Sequence, residues 1–143
     1  MHIIISFALT LFVFISQGAS LTHGADWRQC LEEGDRLYAH RNHEGEEQKS
    51  LEGAIKKYEE VLASVPKEEK ETLFGIYLRL ARANYLLAGY FLRGEVELDR
   101  YKKGYDYADE AVKINDKVAE VYYWRGISTG SYRDKKPLSG MGG

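Results

Sequence analysis

The stretch Tyr77-Leu78-Arg79-Leu80-Ala81-Arg82-Ala83-Asn84-Tyr85 decides the fold class of this chain. It lies within residues 70–92, where Leu73, Leu80 and Leu87 belong to a set of apolar side chains spaced three and four positions apart. That spacing places the apolar side chains on one face of an α-helix. Both prolines of the chain lie outside this segment, so nothing interrupts it. The segment therefore predicts a long helix that buries one face.

The same periodicity continues on both sides of this segment, and no run alternates in the manner of a strand. It predicts an all-α protein of about five helices. Residues 89–104 are rich in charge, contain Gly94 and are ambiguous between helix and connection. Residues 131–143 contain turn formers and few apolar side chains, which predicts a disordered tail. The predicted helices are residues 26–41, 48–64, 70–92, 101–114 and 117–129.

An internal repeat relates the second predicted helix to the fourth. Small or bulky side chains recur at matching offsets and are followed by a turn former. Small side chains let two helices pack at a short distance, so the pattern predicts helix hairpins. The paired positions are Ala54 and Gly104, Tyr58 and Ala108, Val61 and Ala111, and Pro66 and Asp116.

Three further small residues are expected where the first helix of each hairpin crosses its partner. They are Gly34, Ala81 and Gly126, and a bulkier residue precedes each of them by four positions. Together with the second-helix pattern, these residues resemble the tetratricopeptide repeat. The resemblance implies stacked antiparallel helix hairpins of the α-solenoid type, with an incomplete third hairpin. The connections within the first two hairpins, HRNHEGEE and GYFLRGEVELDR, are longer than is usual for that family.

Two segments resemble a narrower family. GYDYADEAV (residues 104–112) and AEVYYWRGI (residues 119–127) are similar to the periplasmic T component of tripartite ATP-independent periplasmic (TRAP) transporters. This resemblance implies an exported accessory component of a solute transport system, with a periplasmic solute-binding protein as its partner. An exported repeat protein of another kind remains the alternative. Family members are often lipid-anchored, whereas Cys30 follows Trp27-Arg28-Gln29 and lacks the context of a lipidation site.

The N-terminal region has the layout of a secretory signal peptide. Residues 3–15, IIISFALTLFVFI, are apolar and uncharged, and small residues follow in QGAS. Cleavage is expected after Ser20, with cleavage after Ala25 as the alternative. A retained anchor is disfavoured because roughly 18 or more apolar residues are needed to span a bilayer. The predicted divisions are a signal peptide at 1–20, a repeat domain at 26–130 and a tail at 131–143, in a periplasmic or secreted protein.

Composition and motifs argue against several other classes. Twenty Lys and Arg are interspersed with 22 Asp and Glu, which provides no basic patch for nucleic acid. No serine, cysteine or threonine has a basic side chain at a spacing that would bring the two together. The side chains of adjacent acidic residues point in different directions on a helix, so they are not placed to act as a general acid and base. The sequence therefore predicts a protein without catalytic residues or a cofactor. His40 and His43 could chelate a metal, but solvated loop histidines are the favoured interpretation.

Candidate binding residues lie on the first helices of the hairpins, which line the usual binding surface of such repeats. Aromatic and arginine side chains dominate binding hot spots, and Arg79 and Arg82 are spaced to meet a carboxylate together. The expected partner is a protein. That protein is either another molecule or a second copy of this chain, which would associate through Tyr123 and Trp124. The alternative function is a small-molecule binder that takes an apolar or organic-anion ligand. The predicted binding residues are Arg79, Arg82, Tyr85, Tyr123 and Trp124.

Overall fold

The computed structural model describes the backbone of residues 23–136 and the side chains from Trp27 onward. Its described residues form five α-helices and no strand, which confirms the predicted all-α class. The predicted signal peptide at 1–20 and the last seven residues of the predicted tail lie outside the described residues. The helices are α1 (His23–His40), α2 (Glu47–Ser64), α3 (Lys70–Phe91), α4 (Glu95–Ile114) and α5 (Ala119–Lys135).

Each helix packs against the next along the chain, so the fold is a stack of helix hairpins in two layers. Side-chain contacts between Asp35 and Arg79, and between Tyr85 and Trp124, link α1, α3 and α5 into one layer. The helices α2 and α4 form the other, where the Tyr107 hydroxyl donates a hydrogen bond to Glu59 at 3.2 Å. We call the surface of the first layer the α1–α3–α5 face and define it by Tyr38, Arg82, Tyr85, Tyr123 and Trp124.

The core lies between these two layers. Its largest fully buried side chains come from α2, α3 and α5, at the spacing that the sequence predicts for α2 and α3. Burial of each large apolar side chain contributes about 1.5–3 kcal/mol relative to its exposure to water. These contacts hold the layers together and fix the orientation of the α1–α3–α5 face. The side chains are Tyr58, Val61, Ile76, Leu80, Leu87 and Val121.

The prediction for the fourth helix was wrong at its start. It begins at Glu95 rather than at residue 101, so only residues 92–94 connect α3 to α4. Gly94 adopts φ 72°, a conformation that favours glycine, and this residue ends the connection. The first turns of α4 bury Glu97, whose carboxylate lies 3.0 Å from Lys135 Nζ. A charged residue on the buried face interrupts the apolar pattern, which is why periodicity failed to identify these turns.

The fifth helix is longer than predicted. It continues past Thr129 to Lys135, so residues 131–135 are helical and the prediction that they are disordered was wrong. Ser128 is fully buried against α4, and Lys135 reaches the buried Glu97. These contacts with α4 hold turns that carry few apolar side chains. A pattern based on apolar residues therefore could not detect them.

Two of the three predicted crossing residues lie at close helix contacts. A Cβ at Gly34 would lie 2.7 Å from the Tyr58 ring, and a Cβ at Gly104 would lie 3.3 Å from the carbonyl oxygen of Ala81. Gly126 differs, because it is exposed and neither another helix nor a non-adjacent side chain lies within 4 Å of where its Cβ would be. In α5 the close contact is made instead by Ser128, whose hydroxyl would lie 2.9 Å from a Cβ at Gly104.

Candidate binding face

One end of the α1–α3–α5 face is built around an ion pair between α1 and α3. Arg79 donates to both carboxylate oxygens of Asp35, from Nε at 2.7 Å and from Nη2 at 3.0 Å. The buried Tyr58 hydroxyl of α2 donates to the same carboxylate at 2.8 Å. Three helices therefore meet at Asp35. The two-point contact fixes the guanidinium plane as well as its position.

The ionisation of this cluster follows from its contacts. Burial alone would raise the pKa of Asp35, but hydrogen bonds from Arg79 and Tyr58 and the charges of Arg79 and Arg82 lower it below its usual value. The pKa of Arg79 is raised, chiefly by the hydrogen bond to Asp35. Burial, followed by the neighbouring Asp35, raises the pKa of Tyr58. At neutral pH Asp35 is therefore a carboxylate, Arg79 is charged and the Tyr58 phenol is neutral.

Tyr38 carries two arginines on its ring. The guanidinium carbon of Arg41 lies 3.9 Å from the ring centroid, and that of Arg82 lies 4.5 Å away. Arg41 also donates to the carbonyl oxygen of Tyr38 at 2.7 Å. Arg82 Nε is buried without a hydrogen-bond partner, and no carboxylate of the described residues forms an ion pair with either arginine. Stacking on an aromatic ring holds such groups in place while leaving their outer N–H groups available.

The other end of the face is aromatic. The Tyr85 ring lies 5.9 Å from the Trp124 ring, and the Tyr123 ring meets Trp124 edge-on at 5.0 Å. The Trp124 indole N–H donates to Glu120 at 3.0 Å. Tyr123 is 58% exposed, whereas Tyr85 and Trp124 are half-buried. These rings form a continuous apolar surface with one exposed tyrosine at its edge.

The five predicted binding residues all lie on α3 and α5, but they fall into different environments. Arg79 is bonded to the carboxylate of Asp35 within the protein, so it is not available to a partner. Of the two arginines predicted to bind one external carboxylate together, only Arg82 lacks such an ion pair. Trp124 packs on Tyr85 rather than standing free, whereas Tyr123 is exposed. Arg41 was missed because it lies where the first predicted helix ends and the connection HRNHEGEE begins, and no spacing pattern there singles it out.

Other chemistry finds less support among the described residues. The rings of His40 and His43 stack with centroids 4.0 Å apart. Within residues 23–136, no three His, Cys, Asp or Glu side chains are placed to hold a metal ion together. Nor is any helix of that range long and apolar enough to cross a bilayer. The α1–α3–α5 face is therefore the surface on which a functional proposal can be built.

No known protein family, curated protein or solved structure is similar enough to this chain to count as a match.

Proposed function

We propose that this chain is an exported, non-catalytic scaffold of the tetratricopeptide type that binds a segment of a protein partner on its α1–α3–α5 face. One observation carries the proposal: the aromatic rings of Tyr85, Trp124 and Tyr123 lie in contact on the same layer as Arg82. The exposed ring of Tyr123 offers an apolar surface, and its hydroxyl remains able to bond to a partner.

The energetics favour a protein ligand for this surface. Tyr, Trp and Arg are the residues at which interface energy concentrates, because they bury a large area and keep a polar group to pair. Trp124 is held between Tyr85 and Tyr123, so little side-chain freedom is lost when a partner covers these rings. Such preorganisation increases affinity by lowering the entropic cost of binding.

A display selection tests this proposal. The mature chain is immobilised and selected against random peptides, and the winners are measured on two variants of matched exposure. Tyr123→Ser removes an exposed ring from the face, and Val96→Ser removes an exposed side chain from α4. Loss of a hot-spot ring should weaken binding at least about tenfold, with Val96→Ser unchanged. Equal affinity for both variants would place binding elsewhere and contradict the proposal.

The resemblance of residues 104–112 and 119–127 to the T component of TRAP transporters supports a more specific role. In that role the chain is an accessory component of a solute transport system, and its partner is a periplasmic solute-binding protein. The expected signal peptide at 1–20 supports export. Sequencing of the N-terminus from producing cells should find it between Leu21 and Asp26, and an intact Met1 in the cytosol would contradict export.

Self-association and small-molecule binding are the competing outcomes. Sedimentation across a concentration series distinguishes a self-associating chain from one that needs another protein. A small-molecule ligand is favoured by a separate observation. A cavity of about 290 Å³ is lined by Arg41 and by residues at the end of α3.

A further inference from the structure

A cavity of about 420 Å³ opens at one edge of the core, where the end of α2 meets the start of α3 and the end of α4. None of the five residues that define the α1–α3–α5 face lines it. Among its lining residues, Val65 and Leu73 belong to the buried core, and Leu62, Tyr77 and Ile114 pack against that core while remaining partly exposed. Apolar side chains from three helices therefore line a space large enough for a ligand.

The charged side chains that line this cavity are mainly cationic. Lys67, Lys70 and Lys113 are exposed, and Glu110 is the one carboxylate among the lining residues. Lys113 donates a hydrogen bond to Glu110 and lies 3.7 Å from the carboxylate of Asp109. No carboxylate in the described part of the chain forms an ion pair with Lys67 or Lys70. Two ammonium groups beside the cavity can therefore pair with an anion from outside.

We propose that this cavity binds an anionic amphiphile, with its alkyl chain against the apolar lining and its phosphate headgroup beside Lys67 and Lys70. The proposal goes beyond the proposed function, because it assigns a ligand to a second site outside the α1–α3–α5 face. A soluble alkyl phosphate and a phospholipid drawn from a bilayer both present this chemistry.

The apolar lining accounts for the alkyl chain. Leu62, Tyr77 and Ile114 are only partly buried, so a chain that covers them removes further apolar surface from water, which is favourable in proportion to the area covered. Val65 and Leu73 are already held in place by the packing of the core. The surface therefore exists before the ligand arrives, and little side-chain freedom is lost on binding.

The lysines account for the headgroup. An ammonium group is a compact charge that can pair with an anion from several directions, whereas a planar carboxylate is matched best by the fork of an arginine. A phosphate monoester carries about 1.5–2 negative charges at neutral pH and three acceptor oxygens, so it can engage two ammonium groups at once. Glu68, Glu69 and Glu71 neighbour Lys67 and Lys70 in the sequence but do not line the cavity.

Glu110 determines which end of the cavity takes the headgroup. Its carboxylate repels a phosphate, and it already accepts a hydrogen bond from Lys113, so the charge of that lysine is compensated. Lys67 and Lys70 come from the connection before α3 and from its first residue, whereas Glu110 and Lys113 lie on α4. The headgroup therefore belongs on the α3 side, beside Lys67 and Lys70.

Calorimetric titration of the mature chain tests the site with octyl phosphate, used below the concentration at which it forms micelles. The two comparison ligands are 1-octanol, which has the same chain without the charge, and butyl phosphate, which has the same headgroup on a shorter chain. We expect octyl phosphate to bind and each comparison ligand to bind at least about tenfold more weakly, because each lacks one half of the recognition. Equal affinity for octyl phosphate and nonanoate would contradict the assigned headgroup.

A pair of substitutions at Ala63 tests the position of the anion, because Ala63 is exposed and lines the cavity. Ala63→Glu should bind octyl phosphate at least about threefold more weakly than Ala63→Gln, since the two side chains have nearly the same shape and differ in charge. Equal affinity of these two variants would contradict a headgroup at this cavity. Far-ultraviolet circular dichroism confirms that each variant folds.

A double variant tests the two lysines directly. Lys67→Gln/Lys70→Gln should lower the affinity for octyl phosphate at least about tenfold, because both charge-assisted contacts are lost. Lys49→Gln/Lys102→Gln is the matched control, since it removes the same two charges from exposed lysines that do not line the cavity. The control variant should bind octyl phosphate as the wild type does.

A second arm separates the two sources of the amphiphile. The chain is floated with phosphatidylcholine vesicles that either contain or lack phosphatidic acid. Flotation only with phosphatidic acid, reversed by octyl phosphate, assigns the site to a lipid drawn from a bilayer. Binding of octyl phosphate without flotation assigns it to a soluble alkyl phosphate.

Three further outcomes would overturn the site: no binding of octyl phosphate, equal binding of octyl phosphate and 1-octanol, or equal losses in the two double variants. Display-selected peptides that still depend on Tyr123 would then leave the proposed function standing. Conversely, binding of octyl phosphate by a chain that selects no peptide would support the site and contradict the proposed function.

Discussion

Gly34 in α1 and Gly126 in α5 hold corresponding positions in the predicted repeat, yet their surroundings differ completely. At Gly34 the ring of Tyr58 lies so close that a Cβ would stand 2.7 Å from it. Tyr58 cannot easily withdraw, because it is fully buried and its hydroxyl is bonded to Asp35. At Gly126 there is open space. A glycine at a repeat position thus indicates a close helix contact only where a partner helix covers it.

The largest expected effect comes from adding one methyl group at each position. Gly34→Ala should destabilise the fold by about 1–3 kcal/mol, because the buried Tyr58 must shift. Gly126→Ala should instead stabilise it by up to about 1 kcal/mol, since alanine favours the helix and meets no neighbour. Thermal and urea unfolding of the two variants measures the difference. Equal losses of stability would mean that Gly126 is covered as Gly34 is.

Ala81 sharpens the same comparison at the middle hairpin. It is fully buried, and its carbonyl oxygen faces Gly104 of α4. Ala81→Leu should lower the free energy of unfolding by roughly 1–3 kcal/mol through overpacking. A melting temperature equal to that of the wild type would contradict the assigned crossing.

Ser128 takes the place that the sequence assigned to Gly126, and its packing can be tested by a double-mutant cycle. A Cβ at Gly104 would lie 2.9 Å from the Ser128 hydroxyl, which is buried without a hydrogen-bond partner. Gly104→Ala should be destabilising, and Ser128→Ala should recover part of the loss. The coupling between such contacting residues is typically about 0.5–3 kcal/mol. Strict additivity in urea unfolding would contradict the contact between α4 and α5.

The smallest expected effect concerns pH and distinguishes the α1 end from α5. The pKa of Asp35 is lower in the folded protein than its ordinary value of 3.8, so its contribution to stability is present above that pH. The contribution is lost as the pH falls through the lowered pKa, because protonation then favours the unfolded state. Asp35 is partly exposed, so the size should be below about 1 kcal/mol. Acid unfolding of Asp35→Asn should lack this component, and an unchanged profile would contradict the pairing with Arg79.

The sequence predicted the parts of the fold where apolar residues carry the packing. The helix α3 and most of α2 were predicted to within a residue or so, because their buried side chains follow helical spacing. The start of α4 and the end of α5 were missed, because Glu97 and Ser128 are polar residues in buried positions. Apolar periodicity cannot recognise a carboxylate that is buried against Lys135.

The candidate site was predicted in part for a similar reason. Residue type and helix position pointed to Arg82, Tyr85 and Tyr123, which lie on the predicted face. The pairing of Arg79 with Asp35 depends on how α1 and α3 pack, and no pattern within either helix contains that information. The stacking of Arg41 and Arg82 on Tyr38 likewise joins residues from two helices and a connection.

The most direct test of the binding face is site-specific photo-crosslinking in cells that produce the protein. Benzoylphenylalanine is placed either at Tyr123, on the α1–α3–α5 face, or at Val96, on α4, two positions that are 58% and 59% exposed. Matched exposure means that random collisions contribute equally to both. We predict a discrete adduct from Tyr123 that Arg82→Gln or Tyr85→Ala weakens, and no such adduct from Val96. Adducts of equal yield from both positions, or from Val96 alone, would contradict the account.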